Sequence, residues 1–154
     1  MLADILYLEK NNRSTNIKYP NFEEVINEPI LKIIDNVCLL YLTTLKGRSD
    51  AIKQTYKIYK NIPIYISNEV ILQPLFDSRN WKQIYINVSN VKEYYKSENG
   101  TMIKFYGGKT IEVEISIKKL NQYLEKCLKI KTDQFDKYER GNILWQRKIS
   151  EILN

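Results

Sequence analysis

Between Lys46 and Lys60 the sequence sets five cations, Lys46, Arg48, Lys53, Lys57 and Lys60, against a single acid, Asp50, a local charge of +4 that starts at the pair Gly47 and Arg48. Side chains of this kind neutralise phosphates. Each such contact releases condensed counterions, and if all five touched nucleic acid, log K would fall with log salt at a slope of about −4 to −5. A second group, Arg79, Asn80, Trp81 and Lys82, offers a guanidinium and an amide able to enter a groove, with an indole nearby. The competing reading of the first group is a solvated, lysine-rich helix face. Composition alone slightly favours it, because the whole chain is rich in Lys, Ile, Asn and Tyr, as AT-rich coding would make it.

Other chemistries find less support. There is no histidine, which removes imidazole general bases, Ser-His triads and His metal ligands. The common metal-nuclease core needs an acid two residues before a lysine, and none of the 18 acids has one there. "YGGKT", residues 106–110, echoes a phosphate-binding loop but lacks the upstream glycine and leads into the strand-like "IEVEI", so a hairpin turn is expected. Glu112 and Glu114 share one face of that strand, about 7 Å apart at a rise of roughly 3.3 Å per residue. Without a third ligand they read as a solvated face. Cys38 and Cys127, in predicted strand and helix interiors, read as buried, inert thiols. No catalytic residue, cofactor or metal is expected, and the chain is not read as an enzyme.

The 154 residues carry a net charge of +6, and 44% are hydrophobic. This is the size of one ordinary domain with a core of its own, and the positive balance favours anionic partners. No apolar run is long enough to cross a bilayer, and the first residues lack a basic leader, so a cytoplasmic, nucleoid-associated protein without a membrane partner is expected.

The elements that must position these residues follow from periodicity. "DILYLE" reads as a short strand, and "KNNRSTN" as a loop or hairpin connection. "PILKIIDNVCLLYLTTL", residues 29–45, shows two apolar runs around Asp35 and Asn36, which predicts a hairpin or bent strand ended by Gly47. Ser49 or Asp50 can cap a helix with Ala51, Ile52, Thr55, Tyr56, Ile58 and Tyr59 on one arc and Lys53, Lys57 and Lys60 on the other, although "TYKIYK" also has strand character. "IPIYIS" and "VILQPL" read as strands around Asn68 and Glu69. A polar loop, the strand "IYINV" and an antiparallel meander of "VKEYYK", "TMIKFY" and "KTIEVEI" follow. Ser116 can cap a helix with the stripe Ile117, Leu120, Leu124, Cys127 and Leu128 through Lys131. "KTDQFDKYERGN" should interrupt it, and Trp145, Ile149, Ile152 and Leu153 mark a terminal helix covering the core or a partner. The expectation is a single α+β domain, antiparallel and β-rich, with a basic helix after the first strands and two C-terminal helices.

Residues 29–131, through "PILKIIDNVCLLYLTTLKGRSDAIKQTYKIYKNIPIYIS", "VILQPLFDSRNWKQIYIN" and "YGGKTIEVEIS", resemble the competence transcription factor (ComK) family. Gly47 and Arg48 match its Gly-Arg element and Lys60 to Ile64 its Lys-x-Pro-Ile strand. Ser78 and Arg79 fall on its Ser-x-Arg-like loop, and "GGKTIEVEIS" on its Asn-Gly-Lys-Thr strand. Leu75 stands where the family has Thr, Tyr85 where it has Trp, and Ser49 where a Lys often follows Gly-Arg. Residues 1–28 are poorly matched, and 132–154 read as a helical tail.

The resemblance implies a transcriptional activator of DNA-uptake genes that binds paired AT-rich boxes, chiefly through the minor groove, as a homo-oligomer, a dimer or tetramer on DNA. Narrow A-tract grooves attract inserted Arg and Lys. The expected assignment is Arg48 and Arg79 in the minor groove, with Lys46, Lys53, Lys57, Lys60 and Lys82 positioning phosphates and Gly47 and Asn80 beside them. A proteolytic adaptor is the further implied partner. The family's aromatic capture segment is not clearly reproduced by "GNILWQRKI", residues 141–149. The alternative is a module that binds RNA or single strands without sequence preference, its exposed tyrosines stacking on bases.

Overall fold

The computed structural model describes residues 2–154. The chain opens with a hairpin of β1 (Tyr7–Asn11) and β2 (Ser14–Lys18), turned by Asn12 at φ 55, and continues through β3 (Glu23–Ile26). Helices α1 (Ile30–Leu40) and α2 (Leu45–Tyr56) follow. Next come β4 (Ile64–Ser67), β5 (Val70–Pro74) and β6 (Ile84–Asn87), then a meander of β7 (Val91–Ser97), β8 (Gly100–Phe105) and β9 (Thr110–Val113). Helix α3 (Ile117–Leu153) ends the chain. Six strands form one antiparallel sheet in the order β3-β2-β1-β6-β5-β4, and β7-β8-β9 form a second.

Strand alternation divides the core. In β6, Tyr85 joins one apolar cluster, with Ile33, Ile34, Val37 and Cys38 of α1 on that side of the large sheet. Ile84 and Ile86 point the other way, into a cluster with Ile103 and Phe105 of β8 and Leu120 and Tyr123 of α3. A third, smaller cluster of Ile52, Ile58 and Ile130 joins α2 to α3. The α+β class, the β4-β5 hairpin, the meander and the Ser116 cap, whose side chain accepts from the Lys119 amide at 3.1 Å, all agree with the sequence reading.

Three expectations are corrected. Residues 30–40 form a helix, not a hairpin or bent strand: Ile30, Ile33, Ile34, Val37 and Cys38 recur at helical spacing and are all buried, and that face outweighs the strand propensity of Ile and Val. Cys38 is accordingly a helix residue.

The basic helix starts earlier than Ser49 and stops sooner. Thr44 caps it, and its hydroxyl accepts from the Gly47 amide at 2.9 Å. Gly47 therefore sits inside the first turn, where a Cβ would meet Thr44 Oγ1 at 3.1 Å. Lys57, at φ 57 and ψ 37, ends the helix in the left-handed conformation, so Ile58, Tyr59 and Lys60 lie beyond it.

The expected pair of C-terminal helices is one helix of 37 residues, about 55 Å long at 1.5 Å per residue. The interrupting stretch contains no proline, an Asp133–Lys137 ion pair of 3.1 Å supports it at i,i+4, and a mid-helix Gly141 costs only about 1 kcal/mol. No helix among the described residues is long and apolar enough to cross a membrane.

Candidate nucleic-acid interface

The first cationic segment is held from both ends. At its start, Asp35 of α1 accepts from the Leu45 amide at 2.8 Å, satisfying one of the free donors at the N-terminus of α2. Near its end, Tyr56 donates to Asp133 Oδ2 at 2.6 Å and accepts from Gln134 Nε2 at 2.8 Å, which ties α2 to α3. Those bonds, the Tyr56 hydroxyl foremost and Lys137 next, hold the Asp133 carboxyl below its usual range. Residues 57–63 are anchored from beneath. Asn61 donates to Tyr123 Oη at 2.6 Å, and buried Gln73 donates to the Asn61 carbonyl at 2.9 Å. The thiol of Cys127 donates in turn to Gln73 Oε1 at 3.3 Å. Burial pushes that thiol up to about 12, as expected of an inert core cysteine.

The second segment, residues 75–83, is a loop closed by side-chain hydrogen bonds. Buried Gln83 bridges its ends, accepting from the Phe76 amide at 2.9 Å and donating to the Phe76 carbonyl at 2.6 Å. Asp77 accepts from the Arg79 amide at 2.9 Å and Asn80 from the Lys82 amide at 2.8 Å, two side-chain turns in succession.

The two segments share a groove of about 380 Å³. Ser49 of α2 lines it together with Tyr59 and Lys60 of the first segment and Phe76 and Ser78 of the second, while Tyr85 is also part of the lining. This neighbourhood joins residues about twenty positions apart in sequence.

The nine expected residues fall into distinct environments. Lys57, Lys60 and Arg79 are exposed, and no ion pair or side-chain hydrogen bond engages their cationic heads among the described residues. Lys53 is half-buried in the last turn of α2. Lys46 is 86% exposed but paired with Asp50 at 2.7 Å, an i,i+4 pair that raises the lysine and lowers the carboxyl. Asn80 spends its side-chain oxygen within its own loop. Lys82 faces away from the groove, into a second hollow: it lies 3.3 Å from Glu114 and 5.0 Å from the Trp81 ring centroid. Glu114 thus pairs with a lysine across the hollow. The hydroxyl of Ser97 and the amide of Asn99 hold the Glu112 carboxyl below its usual range. No cluster of three metal-ligating side chains exists among the described residues.

Arg48 is placed differently from the expectation. Its Nε donates to Thr43 Oγ1 at 2.6 Å and its Nη1 to the Tyr65 carbonyl at 2.6 Å, and the guanidinium lies 6.0 Å from the Tyr41 ring centroid. It is a half-buried brace between the α1–α2 connection, α2 and β4. No signal in the sequence distinguishes it from Arg79.

Sequence reasoning also missed an exposed apolar tip. Leu40 at the end of α1 and Tyr41 and Leu42 just after it are exposed, and Leu42 is 94% exposed at φ 60, a conformation uncommon for leucine. Treating the region as strand concealed it. The "GG" turn is as expected: Gly107 and Gly108, at φ 97 and 96, join β8 to β9.

Fold and site together define an α+β protein in which two cation-bearing segments meet at one groove, with Lys60 and Asp77 in its wall. A family model described as ComK protein matches residues 5–139, and the chain belongs to that family, one of competence-related transcription factors. The match starts at residue 5, so it takes in the β1–β3 strands within residues 1–28 that the sequence resemblance left poorly matched. Neither the curated proteins nor the solved structures compared contain a match.

Proposed function

We propose that the protein is a sequence-selective DNA-binding activator of DNA-uptake genes that engages AT-rich duplex mainly through the minor groove, at the nucleoid and as a homo-oligomer. The observation that carries this reading is the set of exposed cations without internal partners, Lys57, Lys60 and Arg79, on two segments that meet at one groove, with Lys60 in its wall and Lys57 and Arg79 outside it. Arg79 heads a preorganised loop and is assigned the minor groove, where narrow A-tracts concentrate negative potential. Lys46, Lys53, Lys57 and Lys60 are assigned to phosphates. Arg48 keeps the two ends of the α2 region in place, and its role in binding is indirect. Lys82 contributes once it leaves Glu114, a surface pair worth at most about 1 kcal/mol.

The rival reading, a module indifferent to sequence, has exposed Tyr59 and Trp81 in its favour as stacking platforms. Selection of bound sites from random duplex, followed by competition with A-tract, GC-rich and single-stranded DNA, separates the two. Recovery of paired AT-rich boxes is the expected result. Equal competition by all three DNAs would hand the case to the rival.

A further inference from the structure

The distal half of α3 carries a second apolar face that the body of the protein does not use. The proximal half buries Leu120, Tyr123, Cys127 and Ile130 at alternating spacings of three and four. Continued, that stripe meets Gln134, Lys137 and Gly141, which are polar or lack a side chain. A different stripe takes over: Phe135, Tyr138, Trp145, Ile149 and Ile152 follow one another at intervals of three, four or seven. At 100° per residue its mean direction is turned by roughly 45° from the first. Leu128 stands one heptad before Phe135, but the d position between them is Lys131, so the apolar seam starts at Phe135. Exposure is 51% at Phe135, 70% at Tyr138, 62% at Trp145 and 82% at Ile152.

This is the a/d spacing of a coiled coil, with a at 135, 142 and 149 and d at 138, 145 and 152. The one polar residue in the series, Asn142, occupies an a position, where asparagine specifies register and a two-stranded state at some cost in stability. The flanking e and g positions include one acid, Glu139, and one base, Lys148, so a parallel pairing in register opposes no like charges. Ile143 and Leu144 lie outside the seam. Taking about 200 Å² for each aromatic side chain and scaling the seam by its exposure gives roughly 600 Å² per chain, somewhat below the 800 Å² or so that each partner contributes to a standard interface.

We propose that residues 135–153 of α3 pair with the same segment of a second copy of this chain as a parallel, in-register, two-stranded coiled coil, with Asn142 facing its counterpart across the axis. The seam extends past residue 139, where the family match ends. The pairing requires no nucleic acid and stands independently of the DNA-binding reading.

The test uses the full chain. Asn142→Cys and Ile149→Cys are made singly, and each should give a disulfide-linked dimer under mild oxidation, because a positions face each other in a parallel pair. Cys38 and Cys127 are buried and do not compete. Sedimentation equilibrium of the unaltered chain should show a dimer at micromolar concentration. The double variant Trp145→Glu, Ile152→Glu, both in the exposed half of the helix, should weaken it at least about 100-fold while the unfolding temperature of the body stays within a few degrees. A monomer at every concentration up to about 100 μM, or cross-linking at one position and not the other, as an antiparallel pair would give, overturns the proposal.

Discussion

Arg48 and Tyr65, seventeen residues apart, are joined by a 2.6 Å hydrogen bond from Nη1 to the backbone carbonyl, which fastens α2 to the end strand of the large sheet. A guanidinium held this way, with Thr43 on its Nε, braces the start of α2 instead of reaching outward. Arg48→Ala should therefore lower stability by about 2 kcal/mol, within the range for hydrogen bonds to charged groups. It should also weaken binding to AT-rich and GC-rich duplex alike. Denaturant titration and paired gel shifts test this; a variant of native stability that loses AT preference alone would return Arg48 to the groove.

Arg79 has the opposite signature. Arg79→Ala removes a side chain without internal partners, so stability should change by less than about 0.5 kcal/mol. Preference for A-tract over GC-rich duplex should fall by about tenfold, since losing one specific contact is worth on the order of 1–3 kcal/mol. Ratios of Kd on the two duplexes provide the measurement.

Lys57 separates charge from conformation. As a left-handed C-cap it occupies the position where glycine is usual, so Lys57→Gly should stabilise the fold by roughly 0.5–1 kcal/mol. The same change removes a cation, so binding to all duplexes should weaken and the slope of log K against log salt should fall by about one. Unchanged salt dependence in the more stable variant would exclude Lys57 from phosphate contact.

Tyr85 predicts an alkaline limb. Burial pushes its hydroxyl from 10.0 in the open chain up to about 12 in the fold. Because the folded value is raised, its contribution is intact below about pH 10 and is lost as pH climbs towards 12, when only the unfolded chain ionises. The loss should reach roughly 2–3 kcal/mol. In denaturant melts between pH 9 and 12, Tyr85→Phe should flatten this limb; an unchanged slope would mean that the hydroxyl is hydrated in the fold.

Gly141 lies mid-helix with open space where a Cβ would go. Gly141→Ala should raise the helicity of the distal half of α3 and stabilise it by about 1 kcal/mol, visible as increased far-ultraviolet ellipticity and slower amide exchange around residues 138–145.

Much of this protein was legible along the chain. Alternating residues such as Ile84, Tyr85 and Ile86 declare a strand buried on both faces, the paired glycines 107 and 108 a turn, and Ser116 a helix start. Those signals are local, carried by side chains a few residues apart. What tertiary structure decided was the competition between local signals and burial: β-branched Ile33, Ile34 and Val37 became a helix because one face could be packed against the sheet. It decided the site as well. Two arginines equal in sequence were separated by the carbonyl of Tyr65, which captured Arg48, and by the tight loop around Gln83, which left Arg79 outward. A guanidinium's role depends on which acceptors fold to within hydrogen-bonding distance, and those acceptors come from elements far along the chain.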